Sequence, residues 1–227
     1  MTRPALLLLA TTLLAACDGP LSTLRPSGPI AADIAWLWWV MLAGAVLITV
    51  FVLVLLVLAF GAPRRVQARI WTHGLGLWFS LVILSAVLGA GLWVGERILP
   101  RDDGAVTVQA HAFQWGWEFT HTDADGQEVQ TANLLHIPAG QPVDVLITSE
   151  DVIHSFWVPQ LAGKMDAIPG RTNRTRIEAD APGVYEGLCA EFCGIGHARM
   201  RFSVQAHTDW PPDWSEEADT DTQEGAP

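Results

Sequence analysis

The chain has 227 residues, 50% hydrophobic and only 16% charged, yet its formal net charge is −11. An ordinary globular domain carries about 25% charged residues, so apolar stretches must dilute the charge, and that apolar content excludes disorder throughout. With 24 acids against 13 bases the surface would repel phosphate, so nucleic acid is not expected as a partner, while three cysteines and seven histidines suit one metal site better than a disulfide scaffold.

Residues 1–16 have the form of an export signal. Arg3 supplies the positive start, residues 5–14 a largely apolar core, and Ala15-Ala16 the small residues before Cys17. The run Leu14-Ala15-Ala16-Cys17 resembles the bacterial lipoprotein signal, in which the cysteine becomes the lipidated N-terminus. The alternative is an uncleaved apolar leader with a chance cysteine. Residues 17–32 then form an extracytoplasmic segment.

Residues 33–99 predict a transmembrane helical hairpin. No charged side chain occurs from 34 to 63, and a second uncharged stretch runs from 70 to 95 between Arg69 and Glu96. A bilayer span needs ~20 apolar residues at 1.5 Å rise per residue, and both stretches suffice. Trp36, Trp38 and Trp39 cluster where an interfacial aromatic belt would stand. The intervening loop carries Arg64, Arg65 and Arg69 and no acid, which places it in the cytoplasm and both flanks outside. His73 lies just inside the second span. It can mark a proton path, or reach the interface from a helix end.

After Pro100 the periodicity changes to short β-rich runs at 105–110, 142–149, 174–179 and 200–206. Turn signals separate them: Asp125-Gly126, Pro138-Ala139-Gly140, Pro169-Gly170 and Pro182-Gly183. This spacing predicts an antiparallel sandwich or barrel over residues 100–208. Residues 209–227 hold seven acids, no base and three prolines, and read as a disordered acidic tail.

The densest chemistry is Cys189-Ala190-Glu191-Phe192-Cys193-Gly194-Ile195-Gly196-His197-Ala198-Arg199-Met200. Two thiols, an imidazole and a thioether within one short segment suit copper and other soft or borderline metals. Gly194 and Gly196 let the loop turn tightly, and His154 ends a β-rich run that could stand beside it. A Cys189–Cys193 disulfide would leave His197 and Met200 unexplained, and structural zinc has no use for the methionine. A mononuclear blue-copper site would leave one cysteine over. A dinuclear copper site, with two bridging thiolates and one histidine for each metal, employs every donor and is favoured.

With these residues the chain resembles cytochrome c oxidase subunit II, whose dinuclear CuA centre sits on an all-β cupredoxin-like barrel behind a two-helix hairpin. The resemblance implies that Cys189 and Cys193 bridge two coppers and that His154 and His197 each bind one. Met200 would be the weak ligand to one metal and the main-chain carbonyl of Glu191 a ligand to the other. It further implies that the Glu191 side chain reaches a magnesium or manganese ion at the interface with subunit I, which residues 164–171 face. Within Phe113-Gln114-Trp115-Gly116-Trp117-Glu118-Phe119, Trp115 takes the role of the surface residue that accepts electrons from cytochrome c, although Gly116 replaces an aromatic residue common in the family. Glu118, Asp123, Asp125 and Glu128 could steer a basic donor, or simply be solvated. The glutamate that many members carry before the Ile-Trp pair is missing at Ile70-Trp71, and no C-x-x-C-H haem motif is present, so the donor would be a separate protein.

The implied function is that of the electron-accepting subunit of a terminal oxidase in the bacterial cytoplasmic membrane. Its copper domain would lie on the outer, periplasmic side, and its partners would be subunit I, other oxidase subunits and a c-type cytochrome. A copper-free quinol-oxidase subunit would lack the donor set. A tethered copper-delivery protein would need neither the hairpin nor the tryptophan run.

Overall fold

A computed structural model describes residues 19–61 and 67–214. The export signal with Cys17, the loop arginines 64 and 65, and most of the acidic tail fall outside the described residues. The chain divides into two compact units, one of residues 33–98 and one formed by the segments on either side.

The first unit is built by helices that are apolar all round, as a chain in lipid requires, because a helix satisfies every interior backbone group within itself. Helix α1 (Pro29–Ala59) starts on a proline, whose missing N–H costs nothing in a first turn. The second helix is wound with wide π-type turns over Ile70–Phe79 and continues as α2 (Ser80–Ile98). Both Pro29–Ala59 and Ile70–Ile98 are long and apolar enough to cross a membrane. Trp36 meets Trp93 edge to face at 5.7 Å, Phe51 meets Phe79 at 5.9 Å, and Arg97 pairs with Asp33 at 2.7 Å while lying over the Trp93 ring.

The second unit is a sandwich of two five-stranded sheets. One has the order β3-β2-β1-β5-β8, from β1 (Val106–Phe113), β2 (Gly116–Thr122), β3 (Glu128–Ala132), β5 (Val143–Ser149) and β8 (Asn173–Ile177). The other has the order β4-β10-β9-β6-β7, from β4 (Leu134–Pro138), β6 (His154–Trp157), β7 (Met165–Ala167), β9 (Gly183–Cys189) and β10 (Arg201–His207). The architecture is therefore a two-helix hairpin plus an all-β sandwich domain. The expectation of purely antiparallel sheets needs correction: β1 runs parallel to β5, and β4 parallel to β10. A parallel pair needs a crossover connection, which intervening strands in the opposite sheet provide here.

Alternation sorts the strand residues. Trp117 and Phe119 of β2, Phe156 of β6 and Phe202 of β10 turn inward and are essentially buried. Their rings interlock, with Phe156 and Phe202 stacked at 4.9 Å and Trp117 at 5.5 Å from Phe202. Gly187 makes room for this cluster, since a Cβ there would lie 2.3 Å from the Phe202 ring. On the first sheet, buried Asp144 is held by Arg174 and Arg176 at 2.6 and 2.9 Å. The same arginines bind Asp102, Asp103 and the carbonyl of Arg101, fastening the chain where it enters the domain. Before α1, Ser27 donates to the Gln160 carbonyl and accepts from the Asp180 amide. Gly28 passes so close to the Glu178 carbonyl that a Cβ would overlap it.

Candidate metal centre

Three elements bring the donors to one end of the sandwich. His154 opens β6 and is fully buried, Cys189 closes β9, and Met200 immediately precedes β10. Antiparallel pairing of β9 with β10, closed by the Cys189 amide bonding the Met200 carbonyl, makes residues 190–199 a loop over that end. Within it His197 begins a single 3-10 turn, His197–Arg199.

The sulfur atom of Cys193 is the hub. It lies 3.8 Å from the Cys189 sulfur, 3.6 Å from His197 Nδ1 and 3.7 Å from Met200 Sδ. The Cys189 sulfur is 3.9 Å from His154 Nδ1 and 3.3 Å from the Glu191 carbonyl oxygen. The donor atoms of His154, Cys189 and Cys193 all fall within 4.8 Å of one another. Both cysteines are free thiols, so the loop is closed by convergence of donors and not by a disulfide bond. Burial, reinforced by the Cys189 thiol beside it, pushes the Cys193 thiol up to about 12. Paired thiolates in such a place need cations beside them. A group of thiols, imidazoles and one thioether therefore fits a soft or borderline metal such as copper.

Two residues that support the donors escaped the sequence reading. Asp151 accepts from His154 Nε2 at 2.8 Å, which fixes the ring so that Nδ1 faces the sulfurs. It also accepts the backbone amides of Val152 and Gln114. Burial opposes its ionisation, but these bonds outweigh it and hold the Asp151 carboxyl below its ordinary value. Gln114 is the other: its side-chain amide donates to the Cys193 carbonyl at 2.8 Å. The signal available in the sequence was the Asp151-x-x-His154 spacing.

Trp115 is 40% exposed, and its indole N–H donates to the same Cys193 carbonyl at 3.2 Å. The glycines of the loop serve this ring as well as the turn. Gly194 has φ +121°, and a Cβ on Gly196 would lie 2.4 Å from the indole. Ile195, between them, is 91% exposed, and Phe192 is also exposed. Trp117, by contrast, faces inward, 6.4 Å from the His154 ring.

Glu191 turns its carboxylate away from the sulfurs, to Lys164 at 3.2 Å; Lys164 also holds Asp166 at 2.9 Å. Of the acids in this region, Glu118 lies in β2, three residues beyond Trp115. Asp123 and Asp125 stand in the turn beyond β2, the nearer about 26 Å along the strand from Trp115 at ~3.3 Å per residue.

The β-sandwich gathers thiol, imidazole and thioether donors on one loop and one neighbouring strand, a set compatible with copper. Residues 123–207 match the family model for the periplasmic domain of cytochrome c oxidase subunit II. The cytochrome c oxidase subunit 2 of Alkalihalophilus pseudofirmus is 30% identical over 217 residues, covering 86% of this chain and 62% of the relative. The chain thus spans under two thirds of that relative's length. Among solved structures, the periplasmic domain of subunit II of the Bradyrhizobium japonicum cytochrome oxidase is 29% identical. It covers 57% of this chain and 100% of that one, with a TM-score of 0.45. A heme-copper terminal oxidase dimer is 24% identical over 60% of this chain and 99% of that one, with a TM-score of 0.47.

Proposed function

We propose that the chain is the subunit of a terminal cytochrome c oxidase that accepts electrons from a c-type cytochrome and passes them to a haem in subunit I, where oxygen is reduced to water. The convergence of every sequence-predicted donor on the Cys189–Cys193 pair carries this reading. Cys189 and Cys193 would bridge two copper ions. His154 and His197 would each hold one, with Met200 and the Glu191 carbonyl as the remaining ligands. When bound, the dinuclear copper centre supplies a one-electron couple whose charge is shared between two metals.

The chain's own residues prepare that couple. Asp151 orients the His154 imidazole, and the ends of β6 and β9 fix the donors on rigid strands, so little has to move on electron transfer. Trp117 and Phe156 fill the space beneath the loop and keep water out. Trp115 joins the surface to the loop by one hydrogen bond, with exposed Ile195 beside it as an apolar contact for a donor protein. Lys164 pairs with both Glu191 and Asp166, carboxylates of the kind that a magnesium or manganese ion shared with subunit I would take.

In this reading the hairpin spans the bacterial cytoplasmic membrane, the arginine loop is cytoplasmic and the copper domain is periplasmic. Cys17 would add a lipid anchor. The test is rapid-mixing reduction of the copper-loaded chain by a reduced c-type cytochrome, beside Trp115→Ala. The variant is expected to keep its copper and its electron paramagnetic resonance spectrum and to be reduced at least about tenfold more slowly, a barrier change of about 1.4 kcal/mol. Unchanged kinetics would refute the role of Trp115. A spectrum from one electron on a single copper nucleus would refute the dinuclear site.

A further inference from the structure

The second membrane-length helix opens with a winding that decides which of its side chains meet. Ten residues, Ile70–Phe79, follow π-type turns, and none of them is buried. Arg69, with φ −60° and ψ −38°, continues the spiral one residue earlier. In an α-helix of about 3.6 residues per turn, the nine steps from Arg69 to Trp78 make about two and a half turns and put the two on opposite faces. A π-type turn, closed by i→i+5 bonds, takes about four and a half residues, so the same steps make about two full turns. Arg69, His73 and Trp78 thereby share one face.

Together with Ile70 and Gly74 these residues line a cavity of about 440 Å³. Its wall carries a guanidinium, an imidazole and an indole at intervals of one turn. Gly74 keeps the space open: a Cβ there would already touch Ile70 Cγ2 at 3.9 Å, and a longer side chain would fill the cavity.

The lining selects an anion attached to an apolar body. Arg69 is the last charged residue before a stretch long and apolar enough to cross a membrane, and no acid occurs from 34 to 95 to compete for it. A guanidinium takes two phosphate oxygens at once, and an imidazole always keeps one N–H to donate. Trp78, 63% exposed and two turns further into the span, offers an amphipathic ring of the kind that settles at the level of lipid headgroups. A small soluble anion would make no use of Trp78 and Ile70, and an acyl chain alone would make none of Arg69.

We propose that this cavity seats the headgroup of an anionic phospholipid, with its phosphate on Arg69 and His73 and its glycerol backbone along Trp78, and that the π winding is what assembles the seat. The site rests on the reading of the hairpin as membrane-spanning, and on neither orientation of it. One lipid per chain is bound, on one face of one helix.

Native mass spectrometry of the full chain, released from discs of phosphatidylcholine with about one fifth phosphatidylglycerol, tests this. The chain is expected to retain one phosphatidylglycerol in preference to phosphatidylcholine. Arg69→Gln and Gly74→Leu should each lower that retention at least about fivefold, the first by removing the cation, the second by filling the cavity with the charge unchanged. Gly89→Leu makes the same substitution where nothing lies within 4 Å of the added Cβ, and should retain the lipid in full. The site is overturned if both lipids are retained equally, if either Arg69→Gln or Gly74→Leu retains as much as the native chain, or if Gly89→Leu loses as much as Gly74→Leu. A chain that stayed out of the discs would overturn the spanning hairpin itself, a different failure from one that enters and retains no lipid. The assembled oxidase should keep the same lipid; its absence there would assign this face to a neighbouring subunit and overturn the site.

Discussion

The two ends of the β-sandwich both bury imidazoles, yet among the described residues only one gathers thiols beside them. At the thiol end each ring presents Nδ1 to a sulfur, and the far nitrogen of His154 is fixed by the carboxylate of Asp151. At the opposite end the nitrogens of His121, His136 and His207 are turned on one another and on a backbone amide, with no thiol among them. The surroundings differ as well: the thiol end keeps Trp115 and Ile195 open to solvent, whereas Trp214 covers the histidine end. Burial of histidine therefore does not make a site. Orientation by an anionic neighbour, and soft donors at the focus, do.

The largest test of this contrast removes the hub. Cys193→Ala should abolish the two-copper spectrum and lower the copper content, because its sulfur lies 3.6 Å from His197 Nδ1 and 3.7 Å from Met200 Sδ. A retained two-copper spectrum would show that the focus lies elsewhere. Asp151→Asn should act less severely, since an amide keeps a hydrogen bond to His154 but loses the charge. Copper affinity is expected to fall about 10- to 100-fold, read by competition with a chelator. Unchanged affinity would mean that the orienting carboxylate is not what separates the two ends. Ile195→Ser should do least, leaving copper content intact and thermal stability within about 0.5 kcal/mol, because nothing rests on that side chain. Trp214, covering the other end, should not tolerate truncation in this way.

Much of this was legible in the chain because it is local. The uncharged runs marked both helices, and the Cys189–Met200 segment displayed four donors that one loop could gather. Turn dipeptides were equally informative, since Gly126, Gly140 and Gly170 all adopt positive φ values that other residues resist. What stayed hidden depends on pairing across distance. The parallel partnerships of β1 with β5 and β4 with β10 leave no mark in either strand's alternation. β9 was obscured by Gly187, whose missing side chain is replaced by the Phe202 ring from the neighbouring strand. Within the aromatic run Trp115 faces out and Trp117 faces in, because β2 begins between them. His121, His136, His207 and Trp214 are scattered in sequence, so only the folded sheets disclose that they meet.

The bonds of Ser27 to Gln160 and Asp180, together with the close passage of Gly28 by Glu178, alter how the architecture should be parsed. The chain contributes to the β domain before residue 33, departs, and comes back at residue 99. Topologically the hairpin is an insertion within a domain, and not a leader that precedes one. A soluble fragment cut to begin at residue 100 would therefore lack a native piece of its own domain and expose the backbone edge at Gln160 and Glu178. Joining residues 19–32 to residue 99 through a short polar bridge would excise the lipid-facing insert and keep that edge covered.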